Sequence, residues 1–186
     1  MLPTPPEGLR HWRADDAPAL ETAWADPEIT RWNRPPEGLD AGTWIAGVEQ
    51  RWARRLALDL AIEEPPDARN ERTDRSRRSA RWNVGTDRSR RAAGEVGLSG
   101  FTTDPARAEL GVWVAAAHRR TGVARRAVDT VAAWALDADG LGLDQLWART
   151  DPDNAAAAAL FESLAWDRLG SSGGRTIWSA TAALLR

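Results

Sequence analysis

The chain has 186 residues, a formal net charge of −2 and 42% hydrophobic residues. This length suits one domain with a sizeable core, and the apolar content excludes a chain that is disordered throughout. The small net charge argues against a protein whose whole surface binds nucleic acid. The sequence has no cysteine, which excludes disulfides, a cysteine nucleophile and thiolate metal sites, and its two histidines lie far apart. We therefore expect no metal site.

No apolar run approaches the length of a membrane span, and the N-terminal segment MLPTPPEGLR lacks a signal-peptide core. These features predict a cytoplasmic protein with no membrane partner. All 25 basic residues are arginine, and 11 tryptophans supply most of the aromatic bulk, since the chain has neither lysine nor tyrosine. A GC-rich coding bias explains this composition; the alternative is an enzyme that avoids modifying its own lysines. In both cases no tyrosine hydroxyl and no lysine amine can take part in the chemistry.

The first third of the chain predicts a short strand followed by helices. The strand covers Leu9–Trp12, and Asp15 or Asp16 caps the first helix. Pro27 starts a second, short helix. A further helix is predicted by an apolar stripe at helical spacing, which we assign to the core: Trp44, Ile45, Val48, Trp52 and Leu56.

Two strands are predicted at 56–62 and 93–101, separated by an Arg-rich loop or hairpin insertion at about 64–92. From residue 65 to 92 it carries nine arginines against four acids, and TDRSRR occurs twice. This composition favours a solvated extension of the domain. The alternative is an anion-facing arm that binds a nucleic acid, an acidic partner or a coenzyme phosphate.

The stretch 108–137 carries the most specific pattern. Alternating apolar residues predict a half-buried strand over 109–114, and a helical apolar period follows from Ala124. The basic turn between them contains Gly122, which lets a ligand approach the backbone closely. The first N–H groups of a helix have no intrahelical partner, and the helix dipole favours an anion there. The pattern therefore indicates a phosphate-binding turn.

The remaining residues predict an alternation of strands and helices without regular βαβ repeats, which indicates an α/β fold with a mostly antiparallel sheet. The elements are a strand at 145–150, a helix at 155–164, and closing strands at 167–169 and 176–181.

The motif Arg119-x-x-Gly122-x-Ala124 after a strand resembles the pyrophosphate loop of GNAT-superfamily N-acetyltransferases, which bind acetyl-coenzyme A. The run from AELGVWV through HRRTGVA to LGLDQLWARTDPDNAAAAALFESLAW is similar to the branch that contains the ribosomal-protein N-terminal (alanine) acetyltransferases. LRHWRADDAPAL and ADPEITRW resemble the opening of that branch. The resemblance implies one GNAT-like domain over 1–186, with three layers: a central mixed, mostly antiparallel sheet with helices on both faces.

The resemblance also implies the site residues. Acetyl-CoA would be the acyl donor, and Glu109 would be the catalytic base; the alternative for Glu109 is a salt-bridged strand residue. The strands flanking the loop would splay apart, with Gly111 compatible with a distortion. Asn154 would bind coenzyme and could also cap the helix that it opens. The other residues implied to bind coenzyme are Trp113 and Val114 through their backbone, and Arg119, Arg120, Thr121, Gly122, Val123 and Ala124 in the loop.

The chain departs from the family pattern at the position of the general acid. A serine or tyrosine found in relatives is replaced by Ala157 or Phe161, so no acid is visible. The expected function is acetyl transfer to a primary amine, on a protein N-terminus or a small molecule, by direct transfer in a ternary complex. The alternative is a catalytically weak acyl-CoA-binding regulatory or scaffold protein of the same fold. A homodimer is compatible with the resemblance, and nucleic acid is not an expected partner except through the insertion.

Overall fold

A computed structural model describes residues 1–64 and 91–183 of the chain. The insertion predicted at about 64–92 therefore lies almost wholly outside the described residues. Two 3₁₀ turns, at Ala14–Asp16 and Ala116–His118, accompany the regular elements. The described strands are β1 (Leu9–His11), β2 (Ala57–Glu63), β3 (Ala92–Ser99), β4 (Arg107–Val114), β5 (Gln145–Thr150), β6 (Asp167–Ser172) and β7 (Arg175–Thr181). The described helices are α1 (Ala17–Trp24), α2 (Pro27–Thr30), α3 (Ala41–Ala46), α4 (Val48–Ala53), α5 (Val123–Leu136) and α6 (Ala155–Ser163).

The strands form one sheet in the order β1-β2-β3-β4-β5-β7-β6. Every neighbouring pair is antiparallel except β4 and β5, which are parallel. A parallel pair needs a crossover connection, and α5 supplies it between β4 and β5. The predicted mixed, mostly antiparallel sheet with helices on both faces is confirmed.

The two faces of the sheet bury two separate clusters. On one face α5 packs over β3, β4 and β5, because its apolar period places Val128, Val131 and Ala135 on a single stripe. On the other face α1, α3 and α4 cover Ala61 of β2 with a smaller cluster that includes Leu20. Burying a valine or leucine side chain contributes about 1.5–3 kcal/mol, so the larger cluster under α5 supplies most of the core.

Three local predictions are corrected by the structure. The apolar stripe at 44–56 is not one helix, because α3 ends and α4 begins at Gly47, and Leu56 is exposed. Asp16 precedes α1 but makes no side-chain cap; its carboxylate instead accepts two hydrogen bonds from Arg10. Gly111 lies in an unbroken register between β3 and β4, so it marks no distortion of the strand.

Candidate active site

The sheet opens between β4 and β5. Their register joins only three residue pairs, from Arg107 with Gln145 to Glu109 with Trp147. The later residues of each strand have no partner in the other among the described residues, so a gap starts beyond Glu109. This gap leads from the middle of the sheet to the loop that follows β4.

The hydrogen-bond alternation of the β3–β4 ladder determines which backbone groups of β4 face the gap. The N–H of Ala115 donates to the carbonyl of Ala93, at 2.9 Å. Since hydrogen-bonded pairs alternate in an antiparallel ladder, the peptide groups of Trp113 face β3. Those of Val112 and Val114 face the gap. The peptide groups that face the opening are therefore those of Val112 and Val114, and not those of Trp113 as expected.

The loop 119–124 presents a row of unpaired backbone donors. Within the part of the chain that the structure describes, no acceptor is found for the N–H groups from Arg120 to Arg125. Arg120 and Gly122 have φ of 60° and 79°, a left-handed conformation that turns successive N–H groups toward one side. The 14-residue helix α5 starts directly after Gly122. Unpaired amides and the helix dipole together make this turn suited to a phosphate group.

The Arg119 side chain is committed to protein contacts. Its Nη2 donates to Asp26 at 2.5 Å, and its Nε donates to the carbonyl of Val114 at 3.1 Å. Desolvation alone raises the pKa of the Asp26 carboxyl, but hydrogen bonds from the Glu28 N–H and from Arg119 outweigh it and hold that pKa below its usual range. Arg119 therefore ties the start of the loop to α2 and to the end of β4, while Arg120 and Thr121 are exposed.

Asn154 lies at the start of α6, and Phe161 lies within it. The Asn154 side-chain oxygen accepts a hydrogen bond from Ala157 N at 3.0 Å, so this residue caps the helix. Its amide nitrogen has no acceptor among the described residues. Phe161 is 3% exposed and packs against Trp166 and Trp178. Phe161 therefore belongs to the core.

Glu109 forms a bidentate ion pair with Arg149 at the point where β4 and β5 separate. The Arg149 Nε and Nη2 atoms lie 2.9 and 2.8 Å from the two carboxylate oxygens. The guanidinium also covers the ring of Trp147, at 5.2 Å from its centroid. Both the salt bridge and the position at the gap are thus observed for Glu109, and its role as a base stays a prediction.

Beside the gap, two facing glycines leave a part of the sheet without side chains. Gly97 of β3 and Gly111 of β4 are register partners, and we call this pair the glycine floor. Gly111 is exposed, and a Cβ added to it would meet no described atom within 4 Å. At Gly97 an added Cβ would lie 3.5 Å from Asp59 Oδ1 and 3.8 Å from Glu95 Oε1. Space for a small group therefore lies above the floor, bordered by carboxylates.

Glu95 is the titratable group that this environment perturbs most among the described residues. It is partly buried opposite Trp113 in the ladder. Burial raises the pKa of the Glu95 carboxyl to about 8, with the nearby Asp59 carboxylate as the second cause. Arg51 and the indole N–H groups of Trp113 and Trp12 offset part of that increase in pKa. Burial also raises the pKa of Asp59, although Arg51 donates to it at 2.9 Å.

Comparison with known proteins adds the family. Residues 8–166 match the model of the acetyltransferase (GNAT) domain. The chain belongs to the GNAT acetyltransferase family. No curated protein matches this acetyltransferase. Among solved structures it is similar to Mycobacterium smegmatis RimJ in complex with CoA-disulfide, at 19% identity and a TM-score of 0.70, over 98% of this chain and 91% of that one.

Two further solved structures share the fold of this acetyltransferase. A ribosomal-protein-S5-alanine acetyltransferase from Vibrio fischeri is 16% identical, with a TM-score of 0.67, over 93% of this chain and 91% of that one. A spermidine N-acetyltransferase from Vibrio cholerae, in complex with CoA and spermine, is 12% identical, with a TM-score of 0.68, over 95% and 96%. The suspected family is confirmed by the domain match, and these likenesses show that the fold is shared.

The residues that sequence analysis missed lie on neighbouring strands, on α4 and at the start of α2. Glu95 and Gly97 alternate with Val96 and Leu98, a pattern that already places them on the polar face of β3. Their meeting with Gly111 and Asp59 depends on the register of three strands, which no local pattern specifies. Asp26 and Arg119 are 93 residues apart and could not be paired from sequence.

The described residues of this acetyltransferase contain no group of three or more His, Cys, Asp and Glu side chains able to hold a metal ion. Nor does any helix in residues 1–64 and 91–183 have the length and apolar character needed to cross a membrane.

The raised pKa of Glu95 predicts a pH-dependent stability. Because folding favours the protonated carboxyl, its contribution to stability is complete below the unfolded-state pKa and is lost as pH rises through about 8. We expect Glu95→Gln to unfold at a higher urea concentration than wild type at pH 9, and to lose less stability between pH 5 and pH 9. Urea denaturation followed by tryptophan fluorescence measures both. Glu49→Gln, on exposed α4 surface, should follow wild type; an identical pH slope for Glu95→Gln would contradict the assignment.

Proposed function

We propose that this acetyltransferase moves an acetyl group from acetyl-CoA to a primary amine by direct transfer in a ternary complex. The observation that carries the proposal is the gap between β4 and β5, which starts at Glu109 and leads to the unpaired N–H groups of the loop 119–124. A strand with free peptide groups leading to a helix N-terminus suits a long donor that carries a phosphate group at one end.

The residues present fit acetyl-CoA in chemical type. The N–H groups from Arg120 to Ala124 would hold the pyrophosphate, with Gly122 leaving room for it. The peptide groups of Val112 and the N–H of Val114, whose carbonyl already accepts from Arg119, would hold the pantetheine arm, and the Asn154 amide would donate to the coenzyme. Arg119 would act indirectly, by fixing the loop against Asp26. When bound, acetyl-CoA supplies the thioester that is to be cleaved.

The chemistry requires a neutral amine next to a polarised carbonyl. The N–H of Val112 faces the gap and is placed to donate to a carbonyl oxygen as it gains charge, which is the strongest single contribution in many acyl transfers. Glu109 lies three residues before Val112, and we propose it as the group that takes a proton from the attacking nitrogen, with the acceptor displacing Arg149 from one carboxylate oxygen. The arrangement holds both reactants in one cleft, which replaces a bimolecular encounter.

The departing thiolate needs no protein acid in this mechanism. Since Phe161 is in the core and Ala157 has no polar group, neither can donate a proton. A free thiol has a pKa near 8.5, so its thiolate is a good leaving group that water can protonate. The missing acid therefore does not by itself prevent turnover.

The family likeness leaves the acceptor to be identified by assay. A Vibrio cholerae relative is named for spermidine, and a Vibrio fischeri relative for ribosomal protein S5 alanine. Spermidine and a peptide with an N-terminal alanine are the natural first probes. Coenzyme A release can be measured with a thiol reagent without background, because the protein has no cysteine. Self-acetylation is limited to the N-terminal amine, because the chain has no lysine.

Glu109→Gln tests the assigned base. We expect kcat to fall about 100-fold or more, the range for loss of a general base, while the acetyl-CoA dissociation constant changes little. Glu162→Gln, at an exposed position of α6, is the matched control and should keep wild-type kcat. Wild-type kcat in Glu109→Gln would remove Glu109 as the base. Binding of acetyl-CoA without release of coenzyme A by wild type would favour an acyl-CoA-binding protein over the enzyme.

A further inference from the structure

We propose that Glu95 is a further catalytic residue, which binds the ammonium group of the acceptor above the glycine floor and takes its first proton. This inference rests on the proposed acetyl transfer, and it also predicts the class of acceptor. The space above the glycine floor suits a cationic alkyl amine that enters as an ammonium ion.

Glu95 lies beside the part of β4 whose peptide groups face the gap. It pairs in register with Trp113, which follows Val112 directly along the strand. Glu95 and Glu109 lie on the same face of the sheet, at opposite ends of the glycine floor, because facing residues of a ladder share a face. Gly111 lies midway between the levels of the two carboxylates. An amine above Gly111 would therefore have Glu95 on one side and Glu109 on the other.

Of the three carboxylates around the glycine floor, Glu95 is the one without an ion pair among the described residues. Asp59 is paired with Arg51, and Glu109 with Arg149. Arg51 also donates through Nη1 to the Trp44 carbonyl at 2.9 Å and lies over the Trp44 ring, while its Nη2 has no partner among the described residues and its charge lowers the pKa of Glu95. No ion pair to Glu95 is found among the described residues. A cation arriving above the floor would complete this charge arrangement.

Two tryptophans border the Glu95 carboxylate. Trp12 is 7% exposed, and its indole N–H, like that of Trp113, faces this carboxylate and lowers its pKa. The rings of Trp12 and Trp113 lie 6.3 Å apart at an angle of 31°. Aromatic faces next to a carboxylate favour an alkylammonium over a neutral group.

In this mechanism Glu95 takes the first proton from the acceptor nitrogen and Glu109 or water takes the second. An acceptor R–NH₃⁺ gives one proton to the Glu95 carboxylate and becomes R–NH₂, which attacks the thioester carbon. The new C–N bond forms as the C–S bond breaks, and the second nitrogen proton passes through Glu109 or water to the departing thiolate. Glu95 then returns its proton to solvent. The products are the amide, coenzyme A with its thiol, and one proton.

The groups that face Glu95 make it suited to this first step. A carboxyl whose pKa lies near 8 holds a proton taken from an ammonium better than an ordinary glutamate does. The Asp59 carboxylate on β2 disfavours ionisation of Glu95. The Arg51 guanidinium and the indole N–H groups of Trp12 and Trp113 favour it. The Glu109–Arg149 pair lies two positions beyond Gly111 and contributes little net charge. The free enzyme should therefore gain activity as the pH rises through about 8.

The test combines kinetics with a direct measurement of protonation. For wild type, Glu95→Gln and the exposed control Glu49→Gln, kcat/KM is measured from pH 6 to pH 10 with spermidine and with an alanine-initiated peptide. Acetyl-CoA affinity is measured by calorimetry for the same proteins. The Glu95 carboxyl is followed by ¹³C NMR in protein labelled at the glutamate carboxyl, and Glu95→Gln assigns its signal.

We expect Glu95→Gln to lower kcat/KM at pH 8 by about 100-fold or more and to abolish the inflection near pH 8, with unchanged acetyl-CoA affinity. The NMR signal should titrate near pH 8, and spermidine should shift its midpoint downward. An active wild type whose kcat/KM profile survives in Glu95→Gln would overturn this inference and leave the proposed function standing. A signal that titrates below pH 6 would also overturn it. A wild type that does not bind acetyl-CoA would overturn the proposed function, and this inference with it.

Discussion

Gly122→Glu is expected to remove measurable binding of acetyl-CoA, with a loss of affinity of at least ~100-fold, or about 2.7 kcal/mol. Three effects act in the same direction. Gly122 has φ of 79°, which a residue with a side chain adopts at a cost. A Cβ there would lie 3.1 Å from Arg126 Nη1, so a side chain at this position would crowd the Arg126 guanidinium. The added carboxylate would repel a pyrophosphate at the end of the helix that should attract it.

Two variants separate the local effect from general damage. Gly142→Glu makes the same change at another exposed glycine with positive φ, 64°, where an added Cβ meets no described atom within 4 Å. It should bind acetyl-CoA as wild type does, while Gly122→Ala, which adds strain without charge, should bind with intermediate affinity. Titration calorimetry measures the acetyl-CoA affinity of wild type and of the three variants. Wild-type affinity in Gly122→Glu would show that the pyrophosphate binds elsewhere, and equal losses in both glutamate variants would indicate misfolding.

The sequence was sufficient to predict the elements that local patterns specify. The helix after Gly122 and the strand 145–150 are confirmed at nearly the expected bounds, because a strong apolar period and a clear turn define each of them. The single helix expected through Trp44 and Trp52 was wrong. Its stripe is compatible with two short helices that turn at Gly47, and apolar spacing alone cannot distinguish a continuous helix from a broken one.

The candidate site was predictable on the coenzyme side and much less so on the acceptor side. The coenzyme loop is continuous in sequence, so Gly122 and the helix start identify it directly. The acceptor side is assembled from β2, β3, β4 and α4, whose relative positions follow from long-range pairing. Glu95 is therefore visible in the sequence only as a polar residue in a strand. Its burial, its proximity to Asp59 and the empty space above Gly111 need the folded chain.

Asp16→Ala is expected to lower the free energy of unfolding by about 3–5 kcal/mol, a large part of the 5–15 kcal/mol typical of a domain. Arg10 and Asp16 are 7% and 6% exposed and are joined by hydrogen bonds of 2.6 and 2.8 Å. Asp16 also accepts from the N–H of Arg13, at 2.9 Å. Truncation removes both of these hydrogen bonds from the buried Arg10 guanidinium, to which Glu63 also approaches, at 3.8 Å from Nε. The pair also connects β1 to the start of α1, so its loss should loosen the helices that cover Ala61.

Urea denaturation at pH 7 measures this loss, with Asp129→Ala as the control at an exposed position of α5. The control should change stability by no more than about 0.5 kcal/mol. The double variant Arg10→Met with Asp16→Leu should recover most of the stability, because it removes the buried Arg10 charge together with the carboxylate that pairs with it. A decrease below 1 kcal/mol in Asp16→Ala would mean that solvent or another acidic residue replaces Asp16. The double variant would then be no more stable than the single one.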